Sequence, residues 1–378
     1  MKRVFTLSLL FFACSLYAQH RPEPQIPIYP EISSNGDFSF ILIPDPQSYN
    51  KFSANQPLFE LQTAWVAQNV ERLKIKVALI TGDLVEHNNL QVYGARPGKN
   101  NGDQTSKGEW EAASSALKRM DGIVPYIACQ GNHDAGFMAS ETRYSHFGEY
   151  VTPERNSTLK ECLVDTCPNV YGVHTLENAA YEFSSSAWGK LLILSMEFAP
   201  RDEVLDWARN LLESKKFKNH RAIILVHSFL STKGERIQKE KYKLEPKNWP
   251  QAVWEKLVYP SKNIVLVLCG HTGRPPKIEQ IASCKVEDID YRTNSAFRED
   301  AAKDGRMIPQ MMFNSQNGDG HWDGNGGDCW LRILEFGTDG QTISVRTFSP
   351  LFAISRLTAR YAWRNAPYDC FSFKVAKF

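Results

Sequence analysis

Short apolar runs that each stop at a polar side chain recur through the first two thirds of the chain. Phe38–Pro44 stops at Asp45-Pro46-Gln47, Val77–Thr81 at Gly82-Asp83, and Ile123–Cys129 runs into Gly131-Asn132-His133-Asp134. Ala222–Val226 stops at His227, and Ile264–Cys269 at Gly270-His271. Runs of this length rich in branched residues read as buried strands. Between them the apolar spacing lengthens to the helical i, i+3, i+4, i+7 pattern: Leu58–Leu73 (Leu58, Leu61, Trp65, Val66, Val70, Leu73), Glu109–Met120 (Trp110, Ala113, Leu117, Met120) and Arg201–Ser214 (Val204, Leu205, Ala208, Leu211, Leu212). Gln251–Tyr259 is a further helix, and Tyr181–Ser185 and Lys190–Met196 are further strands. Near the end, Met311–Gln316, Trp330–Phe336 and Thr342–Ser349 read as strands with no helices between them. Strands alternating with helices predict a sheet with helices outside it.

A strand that stops at a carboxylate, amide or imidazole presents that group at the carboxyl edge of the sheet, where open α/β folds place their sites. Asp, Asp, Asn, His and His in that order are ligands for a hydrolytic divalent-metal centre. Their order and wording resemble the calcineurin-like metallophosphoesterase superfamily, whose pattern runs D-x-[HQ], GD, GNH[DE], H, GHxH. The first block, Asp45-Pro46-Gln47, resembles a secreted bacterial branch reading D-x-Q. The likeness extends to Leu194–Glu203 and to Gln316 followed by Gly327–Arg332. It implies a four-layer α/β/β/α sandwich, two mixed β-sheets flanked by helices, over residues 37–350, with 351–378 a C-terminal extension packed on it. It also implies a phosphoesterase using a metal-activated water on mono- or diesters, with two divalent ions (Mn, Fe, Zn or Mg). Carried over by position, Asp83 bridges, Asn132, His227 and His271 complete one metal site, and Asp45 and Gln47 belong to the other. His133 then stands over the phosphoryl group as acid or charge stabiliser, with Asp134 orienting its ring.

The chain departs from that pattern twice. Gln47 stands where many members have a histidine, and Gly273 replaces the second histidine of GHxH. Both lost imidazoles serve the same site. The second ion is therefore expected to be weakly held, in an oxygen-rich setting that suits Mn, Mg or Ca. His87 and Asn88 read either as substitute ligands or as solvated loop positions. Arg201, at a strand-to-helix turn, faces either an anion or Glu197 and Asp202. Arg274 and Gln316 are further substrate-binding candidates.

With 42% hydrophobic residues over 378 positions the chain can bury a large core, and a net charge of +2 gives no reason to expect nucleic-acid or membrane-surface binding. Lys2-Arg3, the apolar run Val4–Ala13 and Ala18 predict a signal peptide over residues 1–18 and a secreted or periplasmic protein, with lipoprotein anchoring at Cys14 the alternative. A Pro-rich spacer covers 19–36, and the mature chain shows no membrane span. Of eight cysteines, removing Cys14 leaves seven. Cys129 and Cys269 read as buried hydrophobes, and Cys162 and Cys167, bracketing a short polar segment, as a disulfide. Lys233–Pro250 reads as a solvated excursion and Gly318–Asp328 as a loop. Two readings of other classes stay open: a metal-binding homologue without turnover, and an exported surface- or carbohydrate-binding protein. Retention of His133-Asp134 favours the enzyme.

Overall fold

The computed structural model describes residues 29–90, 102–273, 294–316 and 326–377. The expected signal peptide, Arg274 and Cys284 lie outside these residues, as does most of Gly318–Asp328. Among the described residues, fourteen strands run in chain order as β1 (Gly36–Ile43), β2 (Ile75–Ile80), β3 (Tyr126–Ala128), β4 (Leu163–Pro168), β5 (His174–Ser185), β6 (Gly189–Ser195) and β7 (Arg221–Leu225). They continue as β8 (Ile264–Cys269), β9 (Asn294–Ala301), β10 (Met307–Asn314), β11 (Leu331–Gly337), β12 (Thr342–Phe348), β13 (Trp363–Arg364) and β14 (Phe371–Lys374). They form two 7-stranded sheets, one in the order β13-β12-β11-β1-β2-β3 with β14 also on β12, the other β4-β5-β6-β7-β8-β10-β9.

Each sheet is mixed. β1, β2 and β3 are parallel, as are β6, β7, β8 and β10, while β11, β12 and β9 run antiparallel to their neighbours. The period-2 alternation of the second sheet shows how the layers stack. Leu191, Ile193, Ile223, Leu225, Leu266 and Leu268 join the core shared with the first sheet. The intervening Leu192, Leu194, Ala222, Ile224 and Val267 pack instead against Val204, Leu205, Ala208 and Leu212 of the helix Asp202–Glu213. On the first sheet, Phe38 and Phe40 reach across to Trp188 and Phe183. The expected four-layer arrangement is what forms.

Local chemistry sets element boundaries that the apolar pattern misses. The expected helix Leu58–Leu73 breaks after Gln68, because the Asn69 side chain donates to the Trp65 carbonyl at 2.7 Å and competes with the helix bond there. A four-residue turn, Val70–Leu73, follows and ends at Lys74 with φ 48°. The helix predicted from Glu109 starts earlier, at Ser106, with Thr105 accepting from the Gly108 amide. Gln251–Tyr259 forms as Pro250–Val253 followed by a π-helical stretch, Trp254–Val258. β9 was not expected; its charged residues, Arg298, Glu299 and Asp300, suit an edge strand.

The Cys162–Cys167 disulfide does not form. Cys162 closes the helix Ser157–Cys162, Cys167 lies near the far end of extended β4, and both thiols are free. Extended residues advance ~3.3 Å each, so the two sulfurs are carried well beyond disulfide reach. Cys129 and Cys269 are fully buried, as expected.

Candidate metal centre

The parallel strands of both sheets point their carboxyl ends at one region. β1 delivers Asp45, β2 Asp83, β3 Asn132 and His133, β7 His227, β8 His271, and β10 Asn314 and Gln316. The motif glycines are needed because the backbones approach so closely. A Cβ on Gly131 would run into the Asp83 carboxylate and amide, and one on Gly270 into Asp45 and Thr81. Asp83 and His271 themselves take left-handed backbone angles, φ 51° and 69°. Such geometry costs about 1–3 kcal/mol per residue and persists where surrounding contacts fix it.

Four atoms meet in the centre. His227 Nε2 lies 2.9 Å from Asn132 Oδ1, 3.2 Å from Asp83 Oδ2 and 3.0 Å from His271 Nδ1. The far nitrogen of each ring is committed. His227 Nδ1–H donates to the Thr81 carbonyl at 2.6 Å, and His271 Nε2–H to Glu240 at 2.8 Å. These tautomers turn the lone pairs of His227 Nε2 and His271 Nδ1 toward the oxygens of Asp83 and Asn132. Four acceptors facing one another repel unless positive charge sits among them. The titration behaviour reports that field. Burial opposes a proton on His227, yet Asp83 and Asp45 outweigh it and raise its pKa to about 10. Burial likewise opposes charge on Asp83, but His227, His133 and His271 hold it well below the carboxylate range. One divalent cation fits this two-nitrogen, two-oxygen set.

The neighbouring position offers oxygen only. Asp45 Oδ1 accepts from Thr81 Oγ1 at 2.6 Å, and Oδ2 from the His271 amide at 2.8 Å and Asn314 Nδ2 at 2.6 Å. Burial raises its pKa, and Asp83 adds to the rise. Gln316 holds the same residue by its carbonyl, Nε2 to O at 2.9 Å, so it positions Asp45. Gln47 is 5% exposed and its Oε1 has no donor among the described residues, leaving an acceptor for a hard cation. Gly273 contributes no side chain. Asp45, Asp83 and Gln47 thus make a poorer, imidazole-free set.

Several expected roles change. Asp134 does not touch His133: its oxygens accept from the Gly131 and Val85 amides at 2.7 and 3.1 Å, fixing the turn that carries the ligands. The His133 ring is held by the Glu86 carbonyl, which accepts from Nδ1 at 2.7 Å, leaving Nε2 free. Burial works against a proton on His133, but Glu86 and Asp83 raise its pKa. Arg201 takes the bland alternative. Its Nε bonds Glu197 at 2.9 Å and its Nη2 the Pro168 carbonyl at 2.7 Å, while Arg143 joins Glu197 from the other side at 3.2 Å. Nε and Nη2 of Arg201 are thus spent on Glu197 and Pro168. His87 is not solvated: it is 3% exposed and its Nδ1 pairs with buried Glu109 at 2.8 Å. Asn88 is likewise buried, bonding the Gly136 carbonyl.

Sequence reasoning missed Glu240, Tyr242, Thr81 and Asn314. Glu240 and Tyr242 lie in Lys233–Pro250, which is no mere excursion: Leu244 and Asn248 are buried, and Glu240 closes on His271 while taking Ser228 Oγ at 2.6 Å. Tyr242 stands edge-on to Phe198, ring centres 5.2 Å apart, and 6.1 Å from the His271 ring. A charge-rich composition hides both. Thr81 carried a weaker signal, since it ends the predicted strand Val77–Thr81, whereas Asn314 falls inside the predicted strand Met311–Gln316 and ends the observed one.

A 25% identical relative, the uncharacterized protein YvnB of Bacillus subtilis (strain 168), aligns over 314 residues, 83% of this chain. The chain spans only 20% of that relative's length. Among solved structures, a dimetal phosphatase from Danio rerio is similar with a TM-score of 0.40 at 10% identity, covering 83% of this chain and 97% of its own. GAP50, the anchor in the inner membrane complex of Plasmodium, gives 0.37 at 10% identity, covering 87% and 95%. The sequence model of the calcineurin-like phosphoesterases matches residues 38–275, well over half the chain, and takes in every ligand from Asp45 to His271; the protein belongs to that family.

Proposed function

We propose that this chain is an exported metal-dependent phosphoesterase that hydrolyses phosphate mono- or diesters. The observation that carries the reading is the convergence of Asp83, Asn132, His227 and His271 on one point, with both imidazole tautomers fixed to leave lone pairs there. When bound, a divalent cation supplies Lewis-acid polarisation of a phosphoryl oxygen and lowers the pKa of water. The chain's own groups do the rest. Asp83 also anchors the His133 amide at 2.9 Å, which ties the placement of that imidazole to the ligand set. His133 Nε2 opens on a cleft of about 280 Å³ beside Tyr242. From there it can donate to a phosphoryl or leaving-group oxygen, and its raised pKa keeps the proton available near neutrality. Tyr242, whose phenol burial and nearby carboxylates push far up, remains a neutral donor on the same wall. The leader-like segment Lys2–Ala18 supports export. No helix among the described residues is long and apolar enough to cross a membrane.

The test is hydrolysis of p-nitrophenyl phosphate and its bis ester by chelator-stripped protein, before and after adding Mn²⁺, Mg²⁺ or Zn²⁺. Metal-restored turnover of either ester is expected. Stoichiometric metal binding without turnover of any phosphate ester would favour the non-catalytic reading.

A further inference from the structure

The strap Lys239-Glu240-Lys241-Tyr242-Lys243 alternates like a strand over the site. Glu240 and Tyr242 turn inward, onto His271 and the aromatic wall. Lys241 and Lys243 line the cleft that also holds His133. Neither lysine has a carboxylate within ion-pair distance among the described residues, whereas nearby Lys247 is paired with Glu245 at 2.7 Å. Glu141, the acidic group in the same cleft, spends Oε2 on three backbone amides, those of Phe137, Met138 and Ala139 at 2.9, 2.9 and 3.0 Å. The strap is anchored at both ends. Glu240 grips His271, Leu244 is buried with its amide on the Ser140 carbonyl at 3.0 Å, and Arg143 bonds the Pro246 carbonyl. Two cations with no ion pair among the described residues thus stand beside the general-acid candidate.

Resting on the phosphoesterase reading above, we infer that Lys241 and Lys243 bind a second phosphate on the substrate, so that the preferred substrates carry two phosphates, one cleaved at the metal centre and one held by the strap. Lys241 Nζ lies over the Tyr242 ring at 5.9 Å, and a lone scissile phosphoryl group, served by the metal ligands and His133, leaves both lysines without an anionic partner among the described residues. Ammonium groups recognise phosphate as point charges, so preference for the second phosphate falls as salt screens them.

The experiment compares kcat/KM for a sugar bisphosphate with that for p-nitrophenyl phosphate, using metal-loaded protein. In the Lys241→Ala/Lys243→Ala variant the ratio is expected to fall roughly tenfold, the scale of two partly exposed charge contacts. In Lys239→Ala, which alters the same strap away from the cleft, it is expected to hold. An unchanged ratio in the double variant, or an equal fall in Lys239→Ala, overturns the inference. If the wild-type protein hydrolyses no ester at all, the phosphoesterase reading has failed. Calorimetry then tests the lysines separately: tighter binding of pyrophosphate than of orthophosphate, lost in the double variant, supports the second-phosphate site, and equal binding of the two anions removes it.

Discussion

Glu240 accepts the Nε2–H of His271 at 2.8 Å while its other oxygen takes Ser228 Oγ at 2.6 Å. That carboxylate fixes which histidine nitrogen faces Asp83. Its charge is maintained: burial resists it, but His271 and Ser228 hold its pKa below the ordinary value. Removing such a partner typically weakens metal binding 10–100-fold. Glu240→Ala is therefore expected to lose affinity in that range by chelator competition, with Glu240→Gln intermediate. Unchanged metal affinity in both variants would show that His271 does not need the contact.

Asn132 and His133 are adjacent in sequence and separate in role. Asn132 Oδ1 points into the ligand cluster, whereas His133 Nε2 faces the cleft. Asn132→Ala is expected to lose metal and turnover together. His133→Ala is expected to keep its metal, measured by elemental analysis, while losing ~10²–10⁴-fold in rate, the usual worth of a positioned acid or base. Loss of metal from the His133 variant would place that ring among the ligands.

The candidate ligand set was legible because each member follows a parallel strand, and parallel strands of one sheet deliver their carboxyl ends to one edge. The sandwich followed from the same rhythm. What stayed hidden arrives by other routes. Glu240 comes from an irregular segment whose lysines and glutamates look like any solvated stretch. Asp134 stands beside His133, yet chain geometry sends its carboxylate back to the Gly131 and Val85 amides. Arg201 was ambiguous because a strand-to-helix turn can face outward to a ligand or inward. Glu197, four residues earlier, supplied a buried partner and decided the matter.

Glu177 links stability to pH at a distance from the chemistry. It is 4% exposed, and burial, reinforced by the charge of Glu197, raises its pKa from 4.5 to about 7. The neutral form is thus favoured in the folded chain. Its contribution to stability is fully present below pH 4.5, falls as the unfolded chain ionises, and is gone above about pH 7. The upper bound is about 3 kcal/mol, from ~1.4 kcal/mol per pKa unit. Glu177→Gln is expected to flatten this dependence, so that urea midpoints of the variant and the wild type diverge between pH 4.5 and pH 7. Parallel curves would show that the Glu177 carboxyl ionises freely in the folded state.

The two metal positions are unequal, and a substitution can even them. Asp45 already accepts three protein donors, Gln47 offers a neutral carbonyl oxygen, and position 273 has no side chain. About one equivalent of metal should therefore survive dialysis, with activity rising as excess Mn²⁺ or Mg²⁺ fills the poorer position. Gly273→His is sterically open. Among the described residues a Cβ there meets Asn294 Nδ2 at 3.4 Å, with Asn294 Cγ and the Gln316 carbonyl oxygen at 4.0 Å, and the glycine does not occupy the left-handed region that would strain a histidine. Gln47→His replaces a buried amide whose oxygen has no donor to lose. Imidazole is a better donor than an amide to first-row metals, so either change should raise the metal retained after dialysis from about one toward about two equivalents, and both together should complete the rise. Two tightly held ions in the wild-type protein would mean that Asp45 releases its Asn314 bond to a cation. In that case Asn314→Ala should leave the stoichiometry at two.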